Sequence, residues 1–285
     1  MPDTGIGADF VIDRAKPDDW ATVTGWAAAE GWNPGLGDVT PFFAQDPDGF
    51  LMGRLAGEPV AAVSVVNYGD EYAFLGFYLV RPDLRGRGLG MAIWQAGLAH
   101  AGHRVVGLDG VPDQQDNYRR SGFELAYRSA RFAGVPRLVP PDGTVRPLTP
   151  SDLPDIHAYD CACVPADRFR FLTAWLSEPG HHTVVRVVDG AVTGYGTLRP
   201  ARDAPRVGPL FANTADDARQ LLSALGAWAR GAPVAIDVPL CNEPAVDLVR
   251  AAGLAPGFET ARMYTGQVRP YAVERVFGVT TLELG

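Results

Sequence analysis

Residues Phe74 to Leu98 place three features in a fixed order: a strand, a basic glycine-rich loop and a helix. Phe74 to Val80 is a nearly unbroken apolar and aromatic run, which predicts a buried strand. Arg81-Pro82-Asp83 ends it, because proline cannot donate to a ladder and restricts the residue before it. Arg85-Gly86-Arg87-Gly88-Leu89-Gly90 follows, and Leu89, Ile93, Trp94 and Leu98 then recur at helical spacing. A helix N-terminus leaves about four backbone N–H groups without partners and carries partial positive charge. Glycines let a backbone come close to a bulky anion, and Arg85 and Arg87 add charge beside the amides. The order therefore predicts a phosphate site, most simply for a pyrophosphate. The spacing is not G-x-G-x-x-G, and no Gly-Lys-Ser/Thr follows, so neither a dinucleotide fingerprint nor a Walker A loop is present.

The remaining sequence bounds the setting. A chain of 285 residues predicts two domains at roughly 150 residues each, and 47% apolar residues suffice for packed cores. With 25 basic and 33 acidic residues the net charge is −8, which argues against a nucleic-acid partner and suits a small cationic or amine substrate. MPDTGIGADF carries no signal-peptide pattern, and no run approaches the ~20 apolar residues of a membrane span. Three cysteines fit a reducing cytosol rather than a disulfide framework, and Cys161-Ala-Cys163 reads as a helix segment rather than a zinc site. The expected location is the cytoplasm, without a metal.

Phe10 to Arg14 alternates as a first strand. Pro17-Asp18-Asp19 starts a helix with Trp20, Val23 and Ala27 on one face, ending at Glu30-Gly31. Trp32 to Asp38 is a loop by its glycines and proline. Phe50 to Leu55 and Val60 to Tyr68 form a hairpin across Ala56-Gly57-Glu58-Pro59.

Arg85-x-x-Gly88-x-Gly90, after a strand ending Leu79-Val80-Arg81-Pro82, resembles the acyl-CoA pyrophosphate loop of the GNAT acetyltransferase superfamily. Val105 to Asp109 is similar to that family's next strand, and Tyr118-Arg119-Arg120-Ser121-Gly122-Phe123 to its Tyr-x-x-x-Gly-Phe segment. The resemblance covers about residues 8 to 135. It implies that Leu79 and Val80 pair with the pantetheine arm of acetyl-CoA, and that the amides from Gly86 through Arg87, Gly88 and Leu89 to Gly90 hold the pyrophosphate beside Arg85. It implies that Tyr118 protonates the departing thiolate; a phenol with a pKa near ~10 can supply a proton to a thiolate whose conjugate acid sits near ~8.5. Tyr118 is alternatively a packed core tyrosine. In the family the segment after the first helix lines the acceptor pocket, so Trp32, Asn33 and Asp38 are substrate candidates, or else a plain turn with an anchoring tryptophan. Asp109, at a strand end where ligands gather, either orients or deprotonates an amine, or caps a helix or ties down a loop. Where the family often has an Asn before the tyrosine, this chain has Val111, which loosens the expected grip on CoA from that side.

The second half repeats the first in order. Val145 to Leu148 with Ser151-Asp152-Leu153 echoes Phe10 to Asp19, Arg168 to Leu176 reads as a helix, and the strands Thr183 to Val188 and Val192 to Leu198 mirror the hairpin. Gly208 to Phe211 stands where Gly76 to Leu79 stood, Val234 to Asp237 repeats Val106 to Asp109, and Ala261-Arg262-Met263 repeats Ala130-Arg131-Phe132. Asn213 to Ala218 replaces the basic loop with two carboxylates that would repel a pyrophosphate, and Val249 replaces Tyr118. Thr280 to Leu284 reads as strand-like. The expected architecture is α/β, two GNAT-like domains at 8–136 and 144–285, each a mixed, mainly antiparallel twisted sheet flanked by helices. The expected function is acetyl transfer from acetyl-CoA to a small-molecule primary amine by the first half, with the second shaping the acceptor pocket. A non-catalytic acyl-CoA-binding regulator, another acyl group or a non-amine acceptor are the alternatives. The protein is expected to be a monomer or dimer without nucleic-acid or membrane partners.

Overall fold

The computed structural model describes residues 9–137 and 139–285. The opening segment 1–8, including the expected domain start at Ala8, and Leu138 within the expected boundary lie outside the described residues. The first half runs β1 (Phe10–Arg14), α1 (Pro17–Ala29), α2 (Val39–Gln45), β2 (Phe50–Leu55), β3 (Glu58–Tyr68), β4 (Tyr72–Val80), α3 (Leu89–Ala101), β5 (Val105–Gly110), α4 (Gln115–Arg120) and β6 (Glu124–Gly134). The second runs β7 (Val145–Pro147), α5 (Leu153–Cys163), α6 (Phe169–Ser177), β8 (His182–Val188), β9 (Ala191–Arg199), β10 (Arg206–Ala212), α7 (Ala215–Trp228), β11 (Val234–Pro239), α8 (Glu243–Ala251), β12 (Ala255–Tyr264) and β13 (Val276–Gly278).

Local chemistry accounts for the elements. In α1, Trp20, Val23 and Ala27 are fully buried at helical spacing, and the Asp19 carboxylate accepts from the Lys16 amide at 3.0 Å to cap the first turn. Gly31, at φ 78°, supplies the left-handed residue after the helix ends. In β4, residues Tyr72 to Leu75 are buried in succession because the strand is covered on both faces. One face carries Trp20, Phe42, Phe50 and Phe74; the other carries Val63, Val65, Ile93, Trp94 and Leu108.

All strands join one 13-stranded sheet in the order β1-β2-β3-β4-β5-β12-β6-β11-β10-β9-β8-β7, with β13 beside β10. Pairing is antiparallel except between β4 and β5 and between β10 and β11. This is the expected mixed, mainly antiparallel sheet, with one difference: the halves exchange their last strands. β12 of the second half lies between β5 and β6, and β6 of the first half pairs with β11. The exchange is sealed twice by the same chemistry. Asp109 ends β5 opposite Arg262 of β12, which donates to both its oxygens at 2.8 and 2.5 Å. Asp237 of β11 stands opposite Arg131 of β6, at 2.8 and 3.2 Å. Both pairs are buried; Asp109 takes its counter-charge from the other half, while Asp237 is answered by Arg131 of the other half and Arg206 of its own.

The chain after β12 differs from the strand-like reading of Thr280 to Leu284. The ladder forms at Val276–Gly278, and 282–284 make a turn in which Thr281 Oγ1 accepts from the Leu284 amide at 2.8 Å. Leu284 is apolar there because it is buried (1% exposed), not because it pairs in a ladder.

Candidate acyl-transfer site

β4 and β5 run parallel and in register only from Tyr72 and Val105 to Leu75 and Leu108. Beyond that point they part. The cause lies in β4, whose register against β3 slips between Gly76 and Leu79, a bulge that bends the strand away. Phe77, inside the bulge, has φ 46°, a left-handed conformation that bulky residues rarely adopt. Its ring compensates by packing edge-on against Trp20 at 5.5 Å and Phe42 at 6.2 Å, leaving Phe77 2% exposed. The divergence opens a cavity of about 370 Å³. Leu79 and Val80 form one wall and Asp109, Val111 and Tyr118 the other. Among the described residues no strand pairs with β4 on this side past Leu75, so its edge is open to a ligand.

The mouth is the glycine-rich loop. Gly86 and Gly88 take left-handed φ of 79° and 81°, and Gly88 stands just before α3. No backbone amide from Gly86 to Gly90 donates to a described residue, so the start of α3 presents free N–H groups and a positive dipole end. A Cβ on Gly90 would come 2.7 Å from the Tyr78 hydroxyl, so glycine lets the loop approach that side chain without displacing it. Arg85 donates Nε to the Val80 carbonyl at 3.0 Å and pairs with Glu30 across the mouth, while Arg87 is exposed. Leu89 is buried on Val60 and Leu84 and anchors the loop. Of the loop residues, Arg85, Gly86 and Gly90 line the cavity; Gly88 and Leu89 shape it.

Tyr118 projects from α4 and stacks on Trp94, with centroids 5.7 Å apart and rings 19° from parallel. It lies over Gly110, where any Cβ would overlap the ring. Burial, with Tyr78 nearby, pushes its pKa up to about 12, so it is a proton donor throughout the neutral range. Its hydroxyl makes no hydrogen bond to a described residue. Asp109 also lines the cavity, but Arg262 occupies both its oxygens. Burial pushes the Asp109 pKa up and Arg262 pulls it down. The carboxylate thus fastens the exchanged strand.

Trp32 lines the cavity, its carbonyl accepting from Arg131 Nη1 at 2.7 Å. Asn33 and Asp38 are not brought to it. Asn33 holds the loop at 203–204, donating to the Ala204 carbonyl at 3.1 Å and accepting from the Asp203 amide at 3.0 Å. Asp38 is buried against Arg199 at 3.0 Å, with His181 3.5 Å away. Burial alone would raise its pKa, but the Arg199 guanidinium and the hydrogen-bonding His181 ring beside it hold it below the ordinary carboxylate range. Both residues join the halves, through partners about 140 to 170 positions away in sequence. Sequence reasoning missed Phe258, Thr260, Leu282 and Glu283, which the second half contributes to the cavity. It singled out the segment holding Leu282 and Glu283 only as strand-like.

In the second half the same divergence exists and is filled. β10 and β11 pair only at Arg206 with Ala235 and Val207 with Ile236. β13 then lies along β10, Leu210 opposite Gly278 and Phe211 opposite Val276, and the Val279 amide donates to the Asp237 carbonyl at 2.9 Å. The start of α7 is closed too. Thr214 Oγ1 accepts from the Asp217 amide at 3.1 Å, and the Asp217 carboxylate accepts from Arg186 at 2.9 Å and Thr193 at 2.7 Å. Among the described residues, one His/Cys/Asp group could hold a metal ion: His157, Cys161 and Asp167, whose ligand atoms lie within 4.8 Å of one another. It lines no part of the cavity. No described helix is long and apolar enough to cross a membrane.

The acetyltransferase (GNAT) family matches residues 16–123, and an acetyltransferase (GNAT) domain matches residues 156–278. The chain is 36% identical over 274 residues to the holothin acyltransferase of Pseudoalteromonas sp. (strain SANK 73390), covering 95% of this chain and 93% of that protein. In fold it is similar to a suspected acetyltransferase from Pyrococcus horikoshii, at a TM-score of 0.83 and 22% identity over 98% of this chain and 97% of that one. It is also similar to a tandem GNAT protein from the clavulanic acid biosynthesis pathway, at a TM-score of 0.62 and 15% identity over 90% and 99% of the two chains. With a GNAT match in each half and a relative of this identity along nearly its whole length, the chain belongs to the GNAT acyltransferases and has their tandem form.

Proposed function

We propose that this enzyme moves an acetyl group from acetyl-CoA to the amine of a small molecule, at a single site in its first half. The observation that carries the proposal is the open divergence of β4 and β5, with free amides at its mouth and the Tyr118 hydroxyl in its wall. The holothin acyltransferase relative makes holothin the first acceptor to try.

The residues divide the work. The amides of Gly86 to Gly90, with Arg85 and Arg87, suit a pyrophosphate. The open β4 edge at Leu79 and Val80 suits the amide groups of a pantetheine arm, and its backbone N–H groups would favour the negative charge that develops on the thioester oxygen. Tyr118 holds its proton until sulfur leaves. Trp32, with Phe258, Thr260 and Leu282 from the second half, forms the end left for the acceptor. Holding both reactants in one cavity supplies much of the rate, and the buried surroundings limit hydrolysis.

The test is calorimetry with acetyl-CoA, followed by thiol release with holothin and a panel of small amines. One acetyl-CoA per chain and amine-dependent thiol release are expected. Two per chain would overturn the single-site reading, and binding without release from any amine would favour a regulator.

A further inference from the structure

We propose that Glu283, in the segment after β13, accepts the proton that the acceptor amine loses. The inference rests on the transferase reading above.

Three acidic residues belong to the cavity lining: Glu30, Asp109 and Glu283. Glu30 stands at the mouth, ion-paired with Arg85 on the loop side. Asp109 has both oxygens committed to Arg262. Glu283 differs from both. Its side chain is 4% exposed; Oε1 accepts from Arg206 Nη1 at 3.2 Å, and Oε2 is buried without a hydrogen-bond partner among the described residues. Arg206 is shared with Asp237 and with the Asn33 carbonyl, so it answers only part of the Glu283 charge. A buried carboxylate oxygen with no donor is unusual in folded proteins and costly to maintain. An N–H of a bound acceptor would be the missing donor.

The position of Glu283 is fixed by several contacts. Its backbone lies against Gly76, where any Cβ would overlap it. The Tyr68 hydroxyl donates to the Leu284 carbonyl at 2.9 Å and Arg168 Nη1 to the Gly285 carbonyl at 3.1 Å. Gly76 is where β4 begins to bend from β5, and Gly110, under Tyr118, is on the opposite strand. Glu283 thus stands against β4 and Tyr118 over the end of β5, among Leu75 and Leu282, which limit competition from water.

The step balances without another reactant. The amine nitrogen forms a bond to the thioester carbonyl carbon, and its proton passes to Glu283 Oε2. The carbon–sulfur bond breaks, and sulfur takes the phenol proton of Tyr118. Solvent then returns a proton from Glu283 to Tyr118.

The experiment compares E283Q with the native enzyme, using acetyl-CoA, holothin and thiol release. Expected are a fall in kcat of about 10² or more, an unchanged Kd for acetyl-CoA, and loss of the acid-side inflection in kcat/KM against pH. Glu283→Asp should keep part of the rate. Native turnover in E283Q with the inflection intact would overturn the assignment. Should E283Q melt early or lose acetyl-CoA, Glu283→Ala with added formate decides: restored turnover supports the base, and no restoration overturns it. A native enzyme that releases thiol from no amine at any pH fails at the transferase reading itself, and Glu283 falls with it.

Discussion

The two clefts of this sheet are built alike and differ in what occupies them. In each half a parallel strand pair separates after a few residues, at a bulge beginning with a glycine, Gly76 or Gly208. In the first half the cleft is empty of protein down to the closing segment, and the helix start beside it offers free amides. In the second, β13 occupies the place along β10 that a ligand's amide groups would take, and Thr214 and Asp217 cap the helix. Such a cleft can be closed without loss of the fold: here the chain supplies its own hydrogen-bonding strand and its own cap at the helix start.

The sharpest way to break the comparison is charge reversal at the open mouth. Arg85→Glu with Arg87→Glu should abolish acetyl-CoA binding in calorimetry; retained affinity would show that the free amides act without the arginines. Next is Tyr118→Phe, expected to lower turnover by roughly 10² or more while the Kd for acetyl-CoA holds. Val249→Tyr, at the corresponding place in the filled half, should create no second acetyl-CoA site in calorimetry, although Val249 is a 1% exposed core residue and tyrosine there costs stability.

A smaller effect lies in alkaline stability. Tyr118 ionises near its ordinary 10.0 in the unfolded chain and at about 12 in the folded one. Below pH 10 both states keep the proton and stability is unaffected. Between pH 10 and 12 the unfolded chain ionises first, so stability falls by about 1.4 kcal/mol per pH unit from this group. Urea unfolding of native and Tyr118→Phe protein across that range should show the native curve falling more steeply. The smallest effect is Thr214→Ala, expected to cost about 1 kcal/mol in urea unfolding as the α7 cap is lost, with acetyl-CoA binding untouched.

The features legible in the sequence were local. A strand, two left-handed glycines and a helix occupy consecutive residues, so Phe74 to Leu98 announces the mouth of the cavity without reference to the rest of the chain. Tyr118 is likewise found from its own short segment. The ordered repeats disclosed the duplication. What could not be read was which repeat unit pairs with which. Ala130-Arg131-Phe132 and Ala261-Arg262-Met263 have the same pattern, and each Arg meets an Asp of an equivalent strand, so self-pairing and exchange look identical in one dimension. That Asn33 and Asp38 lie away from the cavity could not be read for a similar reason: a polar residue in a loop looks alike whether it faces a cavity or a partner far along the chain. Glu283 was hidden because its neighbours are apolar from burial, which mimics a strand.

The exchange of β6 and β12 also sets an order of events during synthesis. Asp109 meets its arginine 153 residues later, and until that stretch has left the ribosome β5 has a bare edge and an uncompensated charge. The wall that carries Tyr118 therefore cannot be finished when the first half is made. A nascent chain cut short before β12 should hold the whole glycine-rich loop and still lack Phe258, Thr260 and Arg262, so the cavity is left unfinished until the polypeptide is nearly all present.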